Sequence, residues 1–237
     1  MQLYKEIKLD IGGVAVVSFI GGGGKTTTML ELGKELKALK KKVLITTTTA
    51  IYNPEEGFSN YFLKDIDVFK PKEGSITIFG DRIEKKKLFG SPQKIDSIFK
   101  ENIFDYILVE ADGSKMKPIK GHAHYEPVIP KQTTHTIGII GLDSLGGKIE
   151  NIVHRPEIFT KITNTKYSDI VKEETIVSYV LNSKGLFKET QGKRVLILNI
   201  ALNESDILSG RRIREILLDR GFTDDILVAD VKNNKFY

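Results

Sequence analysis

The stretch VAVVSFIGGGGKTTTML, from Val14 to Leu30, constrains the fold of this chain more than any other. An apolar run of strand length meets a glycine run, and a Lys-Thr pair then opens a segment with helical periodicity. Strand, glycine turn and helix in that order set successive backbone N–H groups around one concave space at the positive end of a helix. Phosphate oxygens satisfy such donors. Gly21, Gly22, Gly23 and Gly24 carry no side chain to hold the anion away. Lys25 is then expected at the outer phosphates, the Thr26 hydroxyl on Mg²⁺, and Thr27 at an inner phosphate. Phe19 stands where the usual motif begins with glycine, but that position lies at the strand exit and not over the phosphates. Ile20 stands where one variant of the loop has a second lysine that reaches across a dimer, so that form of cross-subunit catalysis is not expected.

Apolar strand-like runs alternate with helical patterns along the rest of the chain, the signature of an α/β layered fold. Val14 to Ile20, KVLITTTT from Lys42, SITIFG from Ser75, Asp105 to Asp112, HTIGIIGLD from His135, KRVLILNIA from Lys193 and DILVAD from Asp225 read as strands, the last closing the series. Lys25 to Lys40 reads as a helix, with Met29, Leu32, Leu36 and Leu39 on one face. Ser91-Pro92 starts another, Ser168 is a candidate N-cap for a helix to Leu181, and Ser205 to Arg220 ends at Gly221. The architecture expected is a three-layer αβα, P-loop NTPase-like fold with a mostly parallel sheet. It forms one domain over residues 1–237, with an insertion or hairpin region at about 51–90.

Composition narrows the partners. Apolar residues at 40% and charged residues at 28% describe a globular chain, and no apolar run approaches the ~20 residues that cross a bilayer. The absence of cysteine removes disulfides and thiolate metal sites. With no secretion signal at MQLYKEIKLD, a cytoplasmic location is expected. A net charge of +5 suits an anionic ligand, but no basic and aromatic interleaving points to nucleic acid. The runs KALKKK and EKKKLFG read as solvated ends of elements.

A phosphate loop requires an acidic partner at a neighbouring strand end, to hold the Mg²⁺ shell and orient water. YILVEADGS supplies Glu110 and Asp112, two residues apart, so that both point to one side of an extended segment. Which of the two serves the metal stays open. Thr46 to Thr49 follow the second strand, and Thr48 is a candidate donor to a γ-phosphate or its water. Lys115, Lys117 and Lys120 come close after the acidic strand end, placed either to neutralise charge or to hold an anionic second substrate. His122, His124 and Glu126 alternate and would share a face if extended, as a weak metal or proton-transfer cluster would, and His122 and His124 are candidates for the substrate site. His154 and Arg155 precede a helix and are candidates for the substrate site, and Arg155 is suited to grip a phosphate or carboxylate or to pair with an acid. Asn199 ends a strand where an asparagine often faces the base. The following NIALNESD lacks the lysine and aspartate of guanine-specific proteins, which favours ATP over GTP.

Taken in order, FIGGGGKTTT, VEADGSKMKPIKGHAHYEPVIP and IGLDSLGGKIENIVHRPEIF resemble the YqeC family, accessory proteins for selenium-dependent molybdenum hydroxylases. The resemblance runs to about Phe159, and more loosely to the last strand. It implies a P-loop nucleotide-binding fold and a role in selenium or molybdenum cofactor maturation. The partners implied are a small anionic selenium or molybdenum species and a molybdenum hydroxylase. The function expected is that of an ATP- or GTP-dependent, Mg²⁺-requiring NTPase or kinase-like transferase. Its rival is a nucleotide-gated delivery or accessory switch with little turnover of its own.

Overall fold

Val17 and Phe19 point to one side of their strand, Val16 and Ile20 to the other, and all four are shielded from solvent. A strand apolar on both faces has to lie inside a sheet covered by helices on both sides. The computed structural model of the chain shows that arrangement for the residues it describes, which are 2–49, 51–52, 58–64, 66, 68–83 and 87–237.

In chain order the elements are α1 (Leu3–Glu6), β1 (Ala15–Gly21), α2 (Lys25–Ala38), β2 (Lys42–Thr47), β3 (Ile51–Tyr52), β4 (Tyr61–Leu63), β5 (Ser75–Phe79), β6 (Asp81–Ile83), β7 (Lys87–Phe89) and α3 (Pro92–Glu101). Then follow β8 (Tyr106–Glu110), β9 (Ile119–Lys120), β10 (His135–Gly141), α4 (Ile149–Ile152), β11 (Val153–His154), α5 (Pro156–Thr163), α6 (Glu173–Leu181), β12 (Lys193–Asn199), α7 (Glu204–Asp219), β13 (Asp225–Asp230) and β14 (Lys235–Phe236). The central sheet has nine strands in the order β14-β13-β12-β10-β1-β8-β2-β5-β4, parallel throughout except for β14. The chain leaves β1 toward β2 and later returns to β10 on the other side. The carboxyl end of β1 is therefore the switch point where open α/β sheets bind ligands.

One face of the sheet packs on α1 and α2, through Leu3, Ile7, Met29, Leu32 and Leu36. The other face carries Ile95 and Ile98 of α3 at one half and residues of α5, α6 and α7 at the other. These make the three layers, an α/β fold of the P-loop NTPase-like kind. Local signals act as their chemistry dictates. Ser91 Oγ accepts the Lys94 N–H at 3.2 Å to cap α3 behind Pro92 at its start. Asn203 Oδ1 accepts the Asp206 N–H at 3.0 Å to open α7, and Gly221 takes a φ of +82° just beyond its end.

Three expectations change. Ser168 caps no helix: α6 begins at Glu173 with Lys172 as its cap residue. The segment before it is held extended by a bridge between Ile170 and Lys148 and turned by the Asp169 carboxylate accepting the Lys166 N–H. DILVAD is not the final strand, because β14 folds back antiparallel on its end. The region from 51 to 90 is not wholly an appendage, since β4 and β5 extend the central sheet and only β3, β7 and β6 form a separate small sheet. Part of EKKKLFG, residues 84–86, lies outside the described residues, as do 53–57.

Candidate functional site

The loop leaving β1 is fixed from several sides. Asp112 Oδ2 accepts the Gly21 N–H at 2.9 Å, the Ile139 carbonyl accepts that of Gly22 at 2.9 Å, and the Lys117 carbonyl that of Gly23 at 3.2 Å. Gly23 has a φ of +77°, and a Cβ there would lie 2.2 Å from Gly141 N, so only glycine allows the loop to lie against β10. The first helical bond of α2 runs from Thr28 N–H to the Gly24 carbonyl at 2.9 Å. The N–H groups of Lys25, Thr26 and Thr27 precede it, with no helical acceptor of their own. They open onto a cleft of about 700 Å³ that the loop itself lines.

Lys25 folds into this site and is almost fully buried. Its Nζ donates to the Gly21 carbonyl at 2.6 Å and lies 3.1 Å from Asp112 Oδ1 and 3.9 Å from Glu110 Oε1. The two carboxylates have different surroundings. Glu110, in register with Phe19 across β1 and β8, accepts the Thr26 hydroxyl on Oε2 at 2.6 Å and lines the cleft. Burial pushes its pKa up, against the opposing pull of Lys25 and Thr26. Asp112 is wholly buried and does not line the cleft. Burial would raise its pKa too, but Lys25, Lys120 and the His122 hydrogen bond outweigh it and hold the carboxyl well below the usual range. Glu110 with Thr26 therefore offers the hard oxygen pair that suits Mg²⁺, an ion that keeps several waters and takes few protein ligands. Among the described residues no cluster of three or more His, Asp or Glu side chains could hold a metal without such help.

Behind Asp112 lies a buried polar chain. His122 Nε2 sits 2.6 Å from Asp112 Oδ2, and its Nδ1 sits 3.2 Å from the Gly185 carbonyl. Lys120 Nζ is 3.5 Å from Asp112 Oδ2, donates to Glu126 Oε2 at 2.9 Å, and donates to the Gly113 carbonyl at 2.7 Å. Glu126 is in turn ion-paired to Arg155, whose other nitrogen meets the exposed Tyr125 hydroxyl at 3.1 Å. Charge thus runs from the loop lysine to the surface through side chains each held by the next.

Several residues stand elsewhere than sequence reasoning put them. Lys120 is not a phosphate-facing lysine but the centre of this buried chain, because Glu126 and Asp112 flank it. His122, His124 and Glu126 do not share a face. A turn at His124 and Tyr125 breaks the extension, sending His124 to the surface against the Tyr125 ring while His122 and Glu126 turn inward. Thr48 gives its hydroxyl to the Val128 carbonyl at 2.6 Å, holding the loop after β2 against the segment after β8. Asn199 spends its amide on the protein, donating to the Gly23 carbonyl at 2.8 Å and accepting the Val231 N–H at 3.1 Å. Arg155 takes the acid-pairing option, with Glu126 as the acid. His154 is part-buried, and burial with the charges of Lys120, Arg155 and Lys115 pushes its pKa down to about 4. Lys115 and Lys117 do line the cleft, and Lys117 also donates to the Asn151 carbonyl.

Several lining residues escaped the sequence reading, Asp143, Met116 and Ile200 among them. Asp143 lies two residues beyond the end of β10, and its place just after an apolar strand run was a usable signal. Met116 and Ile200 hold positive φ values of +63° and +65°, which nothing in their sequence announces.

A glycine loop between β1 and α2, with a Lys-Thr pair at the helix start and an acid on the adjacent β8, defines a P-loop-type α/β protein by its fold. The family model described as "YqeC protein" matches residues 17–157, a span that holds the loop, both carboxylates and Arg155. A protein of Escherichia coli (strain K12), described as "Uncharacterized protein YqeC", is 34% identical over 194 residues, covering 78% of this chain and 75% of that one. The chain belongs to the YqeC family.

Proposed function

We propose that this protein binds a nucleoside triphosphate, ATP or GTP, with Mg²⁺, and transfers or releases its terminal phosphate during maturation of the selenium or molybdenum cofactor of a hydroxylase. The observation that carries the nucleotide part is the Lys25 ammonium held 3.1 Å from Asp112 and 3.9 Å from Glu110, under the open N–H groups of α2. A cation so placed is balanced while the site is empty and can exchange one carboxylate contact for a phosphate oxygen. Thr26 and Glu110 would hold Mg²⁺, which supplies charge neutralisation across the β- and γ-phosphates when bound. The N–H groups of Lys25, Thr26 and Thr27 would orient the phosphate chain, and Glu110 would accept a hydrogen bond from metal-bound water. Lys115 and Lys117, across the cleft, would hold the acceptor if it is an anionic selenium or molybdenum species. The cofactor role itself rests on the family resemblance. Lys25→Ala tests the site: equilibrium titration with Mg·ATP and Mg·GTP should show binding by the parent protein and none by the variant. Equal affinity in both would refute the assignment.

A second reading is favoured by the buried chain from Asp112 through Lys120 and Glu126 to Arg155 and Tyr125. Phosphate drawing Lys25 away from Asp112 would change the charge at one end of a chain whose other end is at the surface. That suits a switch that presents a different face to a hydroxylase when loaded. Turnover that rises many-fold only on addition of the partner would select the switch; phosphate appearing on a small acceptor would select the transferase.

A further inference from the structure

The cleft has two ends. Lys25, Thr26 and Glu110 gather on the β8 side of β1, whereas Asp143 and Ile200 follow β10 and β12 on the other side. A triphosphate with its terminal phosphate at the Lys25 end leaves the loop with its nucleoside toward Asp143 and Ile200. Asp143 is close to the loop: a Cβ built on Gly141 would lie 2.3 Å from Asp143 Oδ1 and 3.1 Å from Gly23 Cα, so carboxylate and loop flank one small space. Burial and the Asp206 carboxylate push the Asp143 pKa up, against a hydrogen bond from its own backbone. Among the described residues no lysine or arginine forms an ion pair with it. The Asp143 side chain is exposed on the cleft wall, so its carboxylate is open to neutral donors of a ligand that enters a cleft otherwise suited to anions.

The apolar complement is beside it. Ile200 is β-branched yet sits at a φ of +65°, a conformation that disfavours such residues. Its neighbour Asn199 is pinned to the Gly23 and Val231 backbones, which sets the turn. The strained residue thus borders the cleft directly after the side chain that grips the phosphate loop.

We propose that Asp143 reads the nucleoside and makes the cleft select guanine, accepting the adjacent N1–H and N2–H donors on its oxygens while Ile200 lies against the ring. Adenine offers the same carboxylate one amino donor beside the N1 lone pair, which is repelled. The aspartate that NIALNESD lacks after β12 is here supplied from the end of β10. This inference rests on the phosphate-loop reading and replaces the preference for ATP.

Isothermal titration with Mg²⁺ and GTP, ITP, ATP or XTP, on the parent protein and on Asp143→Asn, decides it. The parent should bind GTP on the order of 100-fold tighter than ATP, because the Asp143 carboxylate, exposed in the open cleft, is covered by the bound ring and left unpaired by the wrong base. ITP, which lacks the N2 amino group, should fall between them. Asp143→Asn should lose GTP and gain XTP, whose C2 carbonyl accepts from the new amide, while ATP stays as it was. Comparable GTP and ATP affinities in the parent overturn the guanine assignment and leave the phosphate loop standing. So does an Asp143→Asn variant that weakens all four alike or none. Failure of the parent to bind any of the four, with Lys25→Ala no different, brings down both readings. Should Asp143→Asn not fold, the order GTP, ITP, ATP in the parent decides alone.

Discussion

Lys120→Met measures the buried charge chain most directly. The lysine is fully buried, with Glu126 Oε2 at 2.9 Å and Asp112 Oδ2 at 3.5 Å. At an effective permittivity of ~20, the gross attraction at 2.9 Å is about 6 kcal/mol, and desolvation of the three charges opposes it. Methionine fills the same length of channel but leaves Glu126 with Arg155 and the Ala123 N–H, and Asp112 with Lys25, His122 and the Gly21 N–H. Removing one partner of a buried pair costs about 3–5 kcal/mol, and these remaining partners put the expectation at the low end, about 3 kcal/mol. Urea unfolding followed by circular dichroism should show a lower midpoint with unchanged slope. For a chain of this length the melting temperature should fall by roughly 6–12 °C, at about 2–4 °C per kcal/mol. The double variant Lys120→Met/Glu126→Gln removes both charges of the closest pair. Its loss should be smaller than the sum of the single losses by about 1–3 kcal/mol. A single-variant loss below about 1 kcal/mol, or additive losses, would refute the claim that Lys120 is the charged hub of a desolvated chain.

Two further outcomes follow from the same site. Gly22→Ala puts a methyl 2.6 Å from the Lys117 carbonyl and 2.8 Å from Pro118 C, both backbone atoms. It should destabilise by about 1–3 kcal/mol and remove the thermal stabilisation given by Mg·nucleotide; a variant as stable and as responsive as the parent would show that the loop and the 113–118 segment are not in contact. His154 has a folded-state pKa of about 4 against an ordinary 6.5, so between those values the unfolded chain binds the extra proton. Stability should therefore be intact above pH ~6.5 and decline as pH falls through ~4, by about 2 kcal/mol after allowance for partial exposure. His154→Asn should flatten that part of the pH profile in urea titrations; an unchanged profile would place the titrating group elsewhere.

What the sequence made legible is what short-range chemistry determines. The run Ala15–Gly21, the Lys-Thr helix start, the Ser91-Pro92 cap and the acid at the end of β8 each follow from a few adjacent residues, and the strands of the central sheet other than the short edge strands β4 and β14 were found by their apolar runs. Ser168 shows where that ends, since its capping chemistry lost to the bridge that the nearby Ile170 makes with Lys148, far off in sequence. The roles of the polar residues after β8 were less legible for a related reason. Spacing says that His122, His124 and Glu126 alternate, but whether they share a face depends on the turn at His124, and that turn exists because Lys188 from beyond α6 donates to the carbonyls of Ala123, His124 and Glu126. Lys120 read as a lysine for phosphate or substrate because it follows the acidic strand end, whereas the fold pairs β9 with β11 and closes Asp112 and Glu126 around its ammonium. Buried charge is a property of the closed fold. The same holds for Asn199: its type and strand-end place were readable, yet only the fold shows that it fastens the phosphate loop to β13's far end and, through Ile200, shapes the cleft wall where a base would lie.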